Sequence, residues 1–292
     1  MVSEISRDEI FRIILIILYI ATFTAIVYFS ADGLNYYTTD LNERPHHEDY
    51  RNLKPGGLRG HGFGVIGATM LVLLLSYSMR KRWKIFRTSG NMRHWLNFHI
   101  YLGISGPILI ILHSTLKLNG LVSVSFWAMI AVALSGVLGR YLYVQIPRTM
   151  EGNELTIEEV KAQLENLSNK IQSEFQLEDK VNDETNLLIS KISKSPGFAA
   201  TFRQIIYPDF FHRRKLKTVL RGTKNLSLHE SKSLLSLLRQ KYLLGRRIAF
   251  WHIIHELFHY WHVIHKPFAI IMYVIMLVHI GISIWLGYSW IF

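Results

Sequence analysis

Residues 97–116 read NFHIYLGISGPILIILHSTL and contain no charged side chain. A helix needs about 20 apolar residues to cross the ~30 Å hydrocarbon core of a bilayer. Because no water is present there to pair with the backbone, such a segment must satisfy its own polar groups as a helix. The stretch therefore predicts a membrane-spanning helix that contains two histidines, His99 and His113.

The same pattern recurs along the chain. Five blocks lack Asp, Glu, Lys and Arg altogether: residues 13–29, 60–79, 94–116, 118–139 and 267–292. Each is close to or above the length of a membrane span. The sequence therefore predicts an all-α integral membrane protein with five transmembrane helices. We expect the first to be an anchor rather than a cleaved signal peptide, and the other four to form a helical core.

The basic residues of the chain indicate how it lies in the membrane. A net charge of +12 would suggest a nucleic-acid partner for a soluble protein, but no such partner is predicted here. The loop of residues 80–93 holds six Lys or Arg and no acid, and such loops stay in the cytoplasm. We expect a bacterial-type plasma membrane protein surrounded by lipid, with its N-terminus and a polar insert (147–249) cytoplasmic and its C-terminus outside.

Four regions follow from this pattern. They are an anchor helix with an extracytoplasmic loop (1–61), three transmembrane helices (62–146), the cytoplasmic helical insert (147–249), and a histidine-rich segment with the last span (250–292).

The insert is predicted to contain at least two helices. A capping-box pattern at Thr156 and Glu159 precedes apolar residues at helical spacing as far as Phe175. We expect a loop in the acidic stretch 178–185 and a second helix over 226–244. The basic half of the insert, residues 213–247, is interpreted as a solvated or lipid-facing surface, with docking of an acidic partner as the alternative. The insert has no Gly-rich dinucleotide fingerprint and no Walker sequence.

The chain has no cysteine and 14 histidines. The lack of thiols excludes disulfides, iron–sulfur clusters, thiolate zinc sites and covalently attached c-type haem. Any redox cofactor must therefore be held by other ligands, and imidazole is the obvious candidate.

Two pairs of histidines lie inside spans, and each pair is separated by 14 residues: His99 with His113, and His265 with His279. Fourteen residues advance a helix by nearly four turns and about 21 Å, so both imidazoles of a pair project from nearly the same face. The two spans are predicted to be parallel, which places the pairs at matched depths. Histidine in a span is a functional hypothesis by default; the alternative is four histidines hydrogen-bonded within an inert bundle.

These residues resemble those of a known family. His99-(13 residues)-His113 and His265-(13 residues)-His279, which begins His-Lys-Pro, look like the paired-histidine helices of bacterial di-haem cytochromes b. Similar helices occur in the cytochrome b of bc complexes and in the ferric-reductase-like transmembrane superfamily. The resemblance covers the second to fifth spans. It implies two non-covalent haem b groups, an inner one ligated by His99 and His265 and an outer one ligated by His113 and His279, and electron transfer across the bilayer.

The chain also departs from these families. It has no flavin or NAD(P)H domain, so it is not a complete ferric reductase or NADPH oxidase, and it lacks the Pro-Glu-Trp-Tyr sequence of the bc quinol site. We therefore expect a subunit of a larger respiratory or reductase complex, which exchanges electrons with quinone or quinol and with other redox subunits.

Five further residues are candidates for the cofactor surroundings. Arg140 would pair with a propionate of the inner haem or serve as a snorkelling anchor. His61 would serve an outer quinone site or the outer haem, with a surface histidine as the alternative, and His94 lies near the inner face without a clear role. His259 and His262 would line a site for haem or quinone.

Residues 251–265 read WHIIHELFHYWHVIH and place five histidines on one broad helical face. Within them, His255-Glu256-x-x-His259 matches the zincin motif, so a membrane-embedded zinc metalloprotease is an alternative function. A catalytic zinc also needs a third protein ligand and an open water position. Other hypotheses for this segment are a third haem ligand, a proton acceptor for quinone, histidines that bond haem propionates, and an interfacial aromatic helix. For the chain as a whole, a histidine-lined proton or metal transporter is a further alternative function.

Overall fold

Every element that the structure describes is a helix. The computed structural model describes residues 6–86, 90–147, 154–175 and 227–288, and these residues form no strand. Their α-helices are α1 (Arg7–Asp32), α2 (Leu34–Thr38), α3 (Tyr50–Leu53), α4 (Leu58–Arg82), α5 (Met92–Ser114), α6 (Gly120–Gln145), α7 (Ile157–Phe175), α8 (Leu228–Ala249) and α9 (Trp251–Trp285). Short 3₁₀ turns cover Arg44–His46 and Lys84–Phe86.

Five of these helices, α1, α4, α5, α6 and α9, are long and apolar enough to cross a membrane. This confirms the prediction of an all-helical chain with five such helices; insertion into a membrane stays a prediction. The histidine-rich segment and the last apolar block are a single helix of 35 residues. The chain divides into two compact units, Met1–Arg140 with Tyr260–Phe292, and Tyr141–His259.

In the first unit, the backbones of α4 and α5 approach each other closely because small residues line their crossing. A Cβ atom added to Gly67 would lie 2.9 Å from Ile110 Cδ1 and 3.1 Å from the carbonyl oxygen of Gly106. Spanning helices associate through such small residues, since the apolar lipid gives them little hydrophobic drive to pack. Around the crossing, Leu71 and Leu102 are buried in the main apolar cluster.

Hydrogen bonds join α9 to its neighbours within this unit. Ser125 Oγ of α6 donates to the carbonyl oxygen of Met272 at 3.0 Å. Tyr273 Oη donates to the carbonyl oxygen of Leu71 in α4 at 2.5 Å. Polar side chains in spans form such bonds because an unpaired polar group in hydrocarbon is costly. The two bonds link α9 to α6 and α4.

The loop between α1 and α4 is tied to the end of α5 by one buried arginine. Arg44 is 7% exposed, and its guanidinium donates to the carbonyl oxygens of Tyr37 at 2.7 Å, of Thr39 at 2.9 Å, and of Thr115. Thr115 is the left-handed C-cap of α5. A cation at the C-terminus of a helix is also favoured by the helix dipole.

The second unit contains the predicted insert helices. The capping box at Thr156 and Glu159 is present, with Glu159 N donating to Thr156 Oγ1 at 3.2 Å. Helices α7 and α8 pack through Ile171, Leu234 and Leu238, which are almost completely buried. The two predicted helices are thereby confirmed, and the acidic stretch 178–185 and residues 213–226 lie outside the described residues.

Candidate functional site

His99 and His265 lie together, on α5 and α9. Their imidazoles are close enough to interact electrostatically. Nδ1 of His99 lies 3.3 Å from the carbonyl oxygen of Leu74. Because a carbonyl oxygen only accepts, this nitrogen carries the proton, and Nε2 keeps its lone pair. The Tyr77 ring of α4 lies against the His99 ring, with centroids 5.1 Å apart.

The tautomer of His265 follows from its serine neighbour. Nδ1 of His265 lies 2.7 Å from Ser135 Oγ of α6. The Ser135 hydroxyl donates its one proton to the carbonyl oxygen of Val132 at 2.9 Å, so His265 must donate to the serine oxygen. As in His99, Nε2 then carries the lone pair.

Trp261 holds the His265 ring from one side. Its indole lies against the imidazole, with centroids 4.8 Å apart, and its Nε1 donates to the carbonyl oxygen of Ser135 at 2.7 Å. Gly139 makes room for the indole, because a Cβ there would lie 2.2 Å from the Trp261 ring. The backbone and side chain of Ser135 thus fix both aromatic rings.

His113 is held by the first turns of α4. Its Nδ1 lies 2.9 Å from the carbonyl oxygen of Gly60, so this nitrogen donates and Nε2 again keeps its lone pair. The ring lies directly on Gly64, where a Cβ would be 2.6 Å from Nδ1. The absence of a side chain at Gly64 is therefore what admits the imidazole.

His61 and His279 complete a second group of histidines around His113. The rings of His61 and His113 have centroids 6.5 Å apart, and His279 interacts electrostatically with both. The structure thus places His265 beside His99, and His279 beside His113 and His61. We call these groups the His99 site (His99 and His265) and the His113 site (His61, His113 and His279).

The other candidates from the sequence have different surroundings. His94 Nε2 is 3.1 Å from Asp8 Oδ1, and Phe11 stacks on its ring at 4.1 Å, so this histidine joins α5 to the start of α1. The ring of His262 packs against Trp261 at 4.5 Å. His259 is the last residue of the second unit, and the charge of Arg140 acts on the Tyr19 hydroxyl of α1.

In the zincin motif, both ring nitrogens of His255 contact protein groups. His255 uses Nδ1 for the carbonyl oxygen of Trp251 at 2.7 Å and Nε2 for Glu154 Oε1 at 2.5 Å. A zinc-bound histidine needs one nitrogen for the metal. Among the residues that the structure describes, no group of three or more His, Cys, Asp or Glu side chains is placed to hold a metal ion.

No protein-family model, curated protein or solved structure matches this chain. The geometry of the two sites therefore carries the functional argument. Three of the four paired histidines donate Nδ1 to an oxygen of a neighbouring helix, which is the arrangement by which proteins orient metal-ligating imidazoles. This donor set fits the axial ligation of haem iron.

Proposed function

We propose that the chain is a membrane cytochrome b subunit that holds two haem b groups and carries electrons across the bilayer. His99 and His265 would hold one haem, and His113 and His279 the other. The observation that carries the proposal is the fixed tautomer of His99, His113 and His265, which leaves Nε2 available for iron. Bound haem would supply one-electron redox chemistry at each site.

The protein's own contribution is to orient the imidazoles and keep water away. Oxygens of Leu74, Gly60 and Ser135 fix the rings, so the ligands need no reorganisation when the metal changes charge. Met272 and Met276, which lie between His265 and His279 on α9, are buried in the main apolar cluster together with Met129 of α6. A dry medium of this kind raises the potential of a haem, because it disfavours the additional positive charge of the oxidised form.

The partners follow from the membrane setting. Electrons would pass between a quinone or quinol pool and a partner redox subunit in a bacterial-type plasma membrane. The basic loop of residues 80–93 orients the His99 site toward the cytoplasm. His61, beside the outer ligand pair, is positioned to contact a quinone or the outer haem.

The test is the absorption spectrum of the purified full chain, oxidised and reduced with dithionite. The proposal expects the sharp reduced bands of bis-imidazole haem b and a ratio of two haems per chain. His99→Ala and His279→Ala should each remove about half of the haem. His94→Ala is the matched control, because His94 bonds Asp8 instead, and it should keep both haems. A colourless wild-type protein would refute the proposal.

A further inference from the structure

Helix α8 ends in two adjacent arginines that are withdrawn from solvent. Arg246 is 5% exposed, and its Nη2 donates to Gln145 Oε1 at 2.8 Å. Arg247 is half-buried, and its Nη2 lies 3.4 Å from the carbonyl oxygen of Val144. Both therefore contact the last turn of α6, within the second unit.

Two features show that, within the part of the chain that the structure describes, protein groups do not fully compensate the charge at Arg247. Its Nε is buried and has no hydrogen-bond partner among the described residues. Burial, and then the charge of Arg246, lower the pKa of the Arg247 guanidinium. A buried charge is costly unless it is paired, and a like charge next to it adds to that cost. An anion at the exposed edge of the guanidinium would offset the repulsion between the two arginines.

The position of Arg247 indicates the source of the anion. Val144 and Gln145 are the last residues of α6, a helix long and apolar enough to span a membrane. The end of such a helix lies at the level of the lipid headgroups, where basic side chains meet anionic lipid. The fork of a guanidinium matches two oxygens of one phosphate group.

We propose that Arg247, supported by Arg246, binds the phosphate of an anionic phospholipid at the end of α6. The site belongs to the second unit and is independent of haem binding. The lipid would hold the end of α8 against the last turn of α6, and so stabilise the packing of Tyr242 and Ile254 with Ile146. Removing the lipid should therefore lower the thermal stability of the chain.

The experiment uses the full chain in a neutral detergent, supplied with phosphatidylglycerol, phosphatidylcholine or inorganic phosphate. Native mass spectrometry counts bound lipids, and intrinsic tryptophan fluorescence follows thermal unfolding. We expect phosphatidylglycerol to bind and to raise Tm, with little effect of the other two. Arg247→Gln should weaken phosphatidylglycerol binding by at least about tenfold, because it removes a charge-assisted hydrogen bond.

Lys232→Gln is the matched control, since it removes one positive charge from an exposed position of the same helix. It should bind phosphatidylglycerol as the wild type does. Arg247→Lys keeps the charge but loses the paired N–H donors of the guanidinium, so it should bind with intermediate affinity. It serves as the test if Arg247→Gln does not fold.

Equal loss of phosphatidylglycerol binding in Arg247→Gln and Lys232→Gln would overturn the proposal. A Tm increase of the same size from inorganic phosphate or phosphatidylcholine would overturn the assignment to an anionic lipid. The count of bound lipids by native mass spectrometry does not depend on haem, so failure here leaves the proposed function untouched.

Discussion

At the scale of single residues, the proposed ligand histidines differ from the groups that orient them in how easily the sequence reveals them. The histidines stand out because imidazole is rare in an uncharged apolar helix. The structure places His265 beside His99. Their orienting groups were missed. The acceptors at Leu74 and Gly60 are backbone carbonyl oxygens, which every residue has, so the residue type at these positions does not indicate the bond. Ser135 was accessible in principle, as a hydroxyl within an apolar helix.

Removal of the Ser135 hydroxyl tests this orienting role. In Ser135→Ala, His265 loses the acceptor of its Nδ1 proton, so its ring and tautomer are no longer fixed. Loss of such a partner typically weakens metal binding by about 10- to 100-fold. We expect a loss of that size in haem affinity at the His99 site, measured by haem titration of the apoprotein. Ser123→Ala is the control, because Ser123 donates to the carbonyl oxygen of Gly120 in its own helix and not to a histidine of the described residues; equal losses in both variants would contradict the prediction.

A methyl group at Gly64 tests the fit of His113. The new Cβ would lie 2.6 Å from His113 Nδ1, so in Gly64→Ala the ring must leave its bond to Gly60. We expect the variant to lose the haem of the His113 site and to keep that of the His99 site, so its reduced-minus-oxidised spectrum should fall to about half. Gly136→Ala adds the same methyl group to α6, where nothing lies within 4 Å, and should keep the full spectrum. Unchanged haem content in Gly64→Ala would show that His113 does not need this position.

At the scale of elements, the five long apolar helices were predictable, because long uncharged apolar blocks are typical of helices that cross a membrane. The single helix Trp251–Trp285 was less clear from the sequence, since its first half is rich in histidine and aromatic residues and its second half is apolar. Cross-helix bonds such as that of Tyr273 could not be predicted, because they depend on the register between helices distant in the chain.

The bond from Tyr273 to Leu71 is expected to matter little for stability. Hydrogen bonds between spanning helices contribute about 0.6 kcal/mol on average and at most about 1.7 kcal/mol. Tyr273→Phe should therefore lower the free energy of unfolding by about that amount, measured by reversible unfolding in mixed micelles. Tyr28→Phe changes a tyrosine that is 62% exposed and should have no effect. A loss of several kcal/mol in Tyr273→Phe would mean that this bond organises the bundle.

Tyr37 of the short helix α2 predicts that the stability of the fold falls at alkaline pH. Burial, with a smaller contribution from Tyr36, raises the pKa of Tyr37 from 10.0 to about 12. Because the folded pKa is raised, the stabilisation is complete below pH 10 and is lost as the pH rises toward 12. The wild type should lose thermal stability across that interval more steeply than Tyr37→Phe. The tyrosinate absorption that appears late in the titration of the wild type should be smaller by one tyrosine in Tyr37→Phe, and an unchanged amplitude would contradict the assignment.

At the scale of the whole molecule, the two sites must act in series if the chain carries electrons through the bilayer. Paired histidines on one helix are about 21 Å apart along its axis, so neither site alone spans the apolar core. In vesicles that trap an electron acceptor, a membrane-impermeant reductant added outside should reduce the acceptor with wild-type protein. His99→Ala and His113→Ala should each keep one haem by absorption yet lose this transfer almost completely. The control His94→Ala should retain it, as should a wild-type sample inserted in mixed orientations. Transfer at the wild-type rate in either single-site variant would show that the remaining haem suffices, and that the two sites do not form a chain.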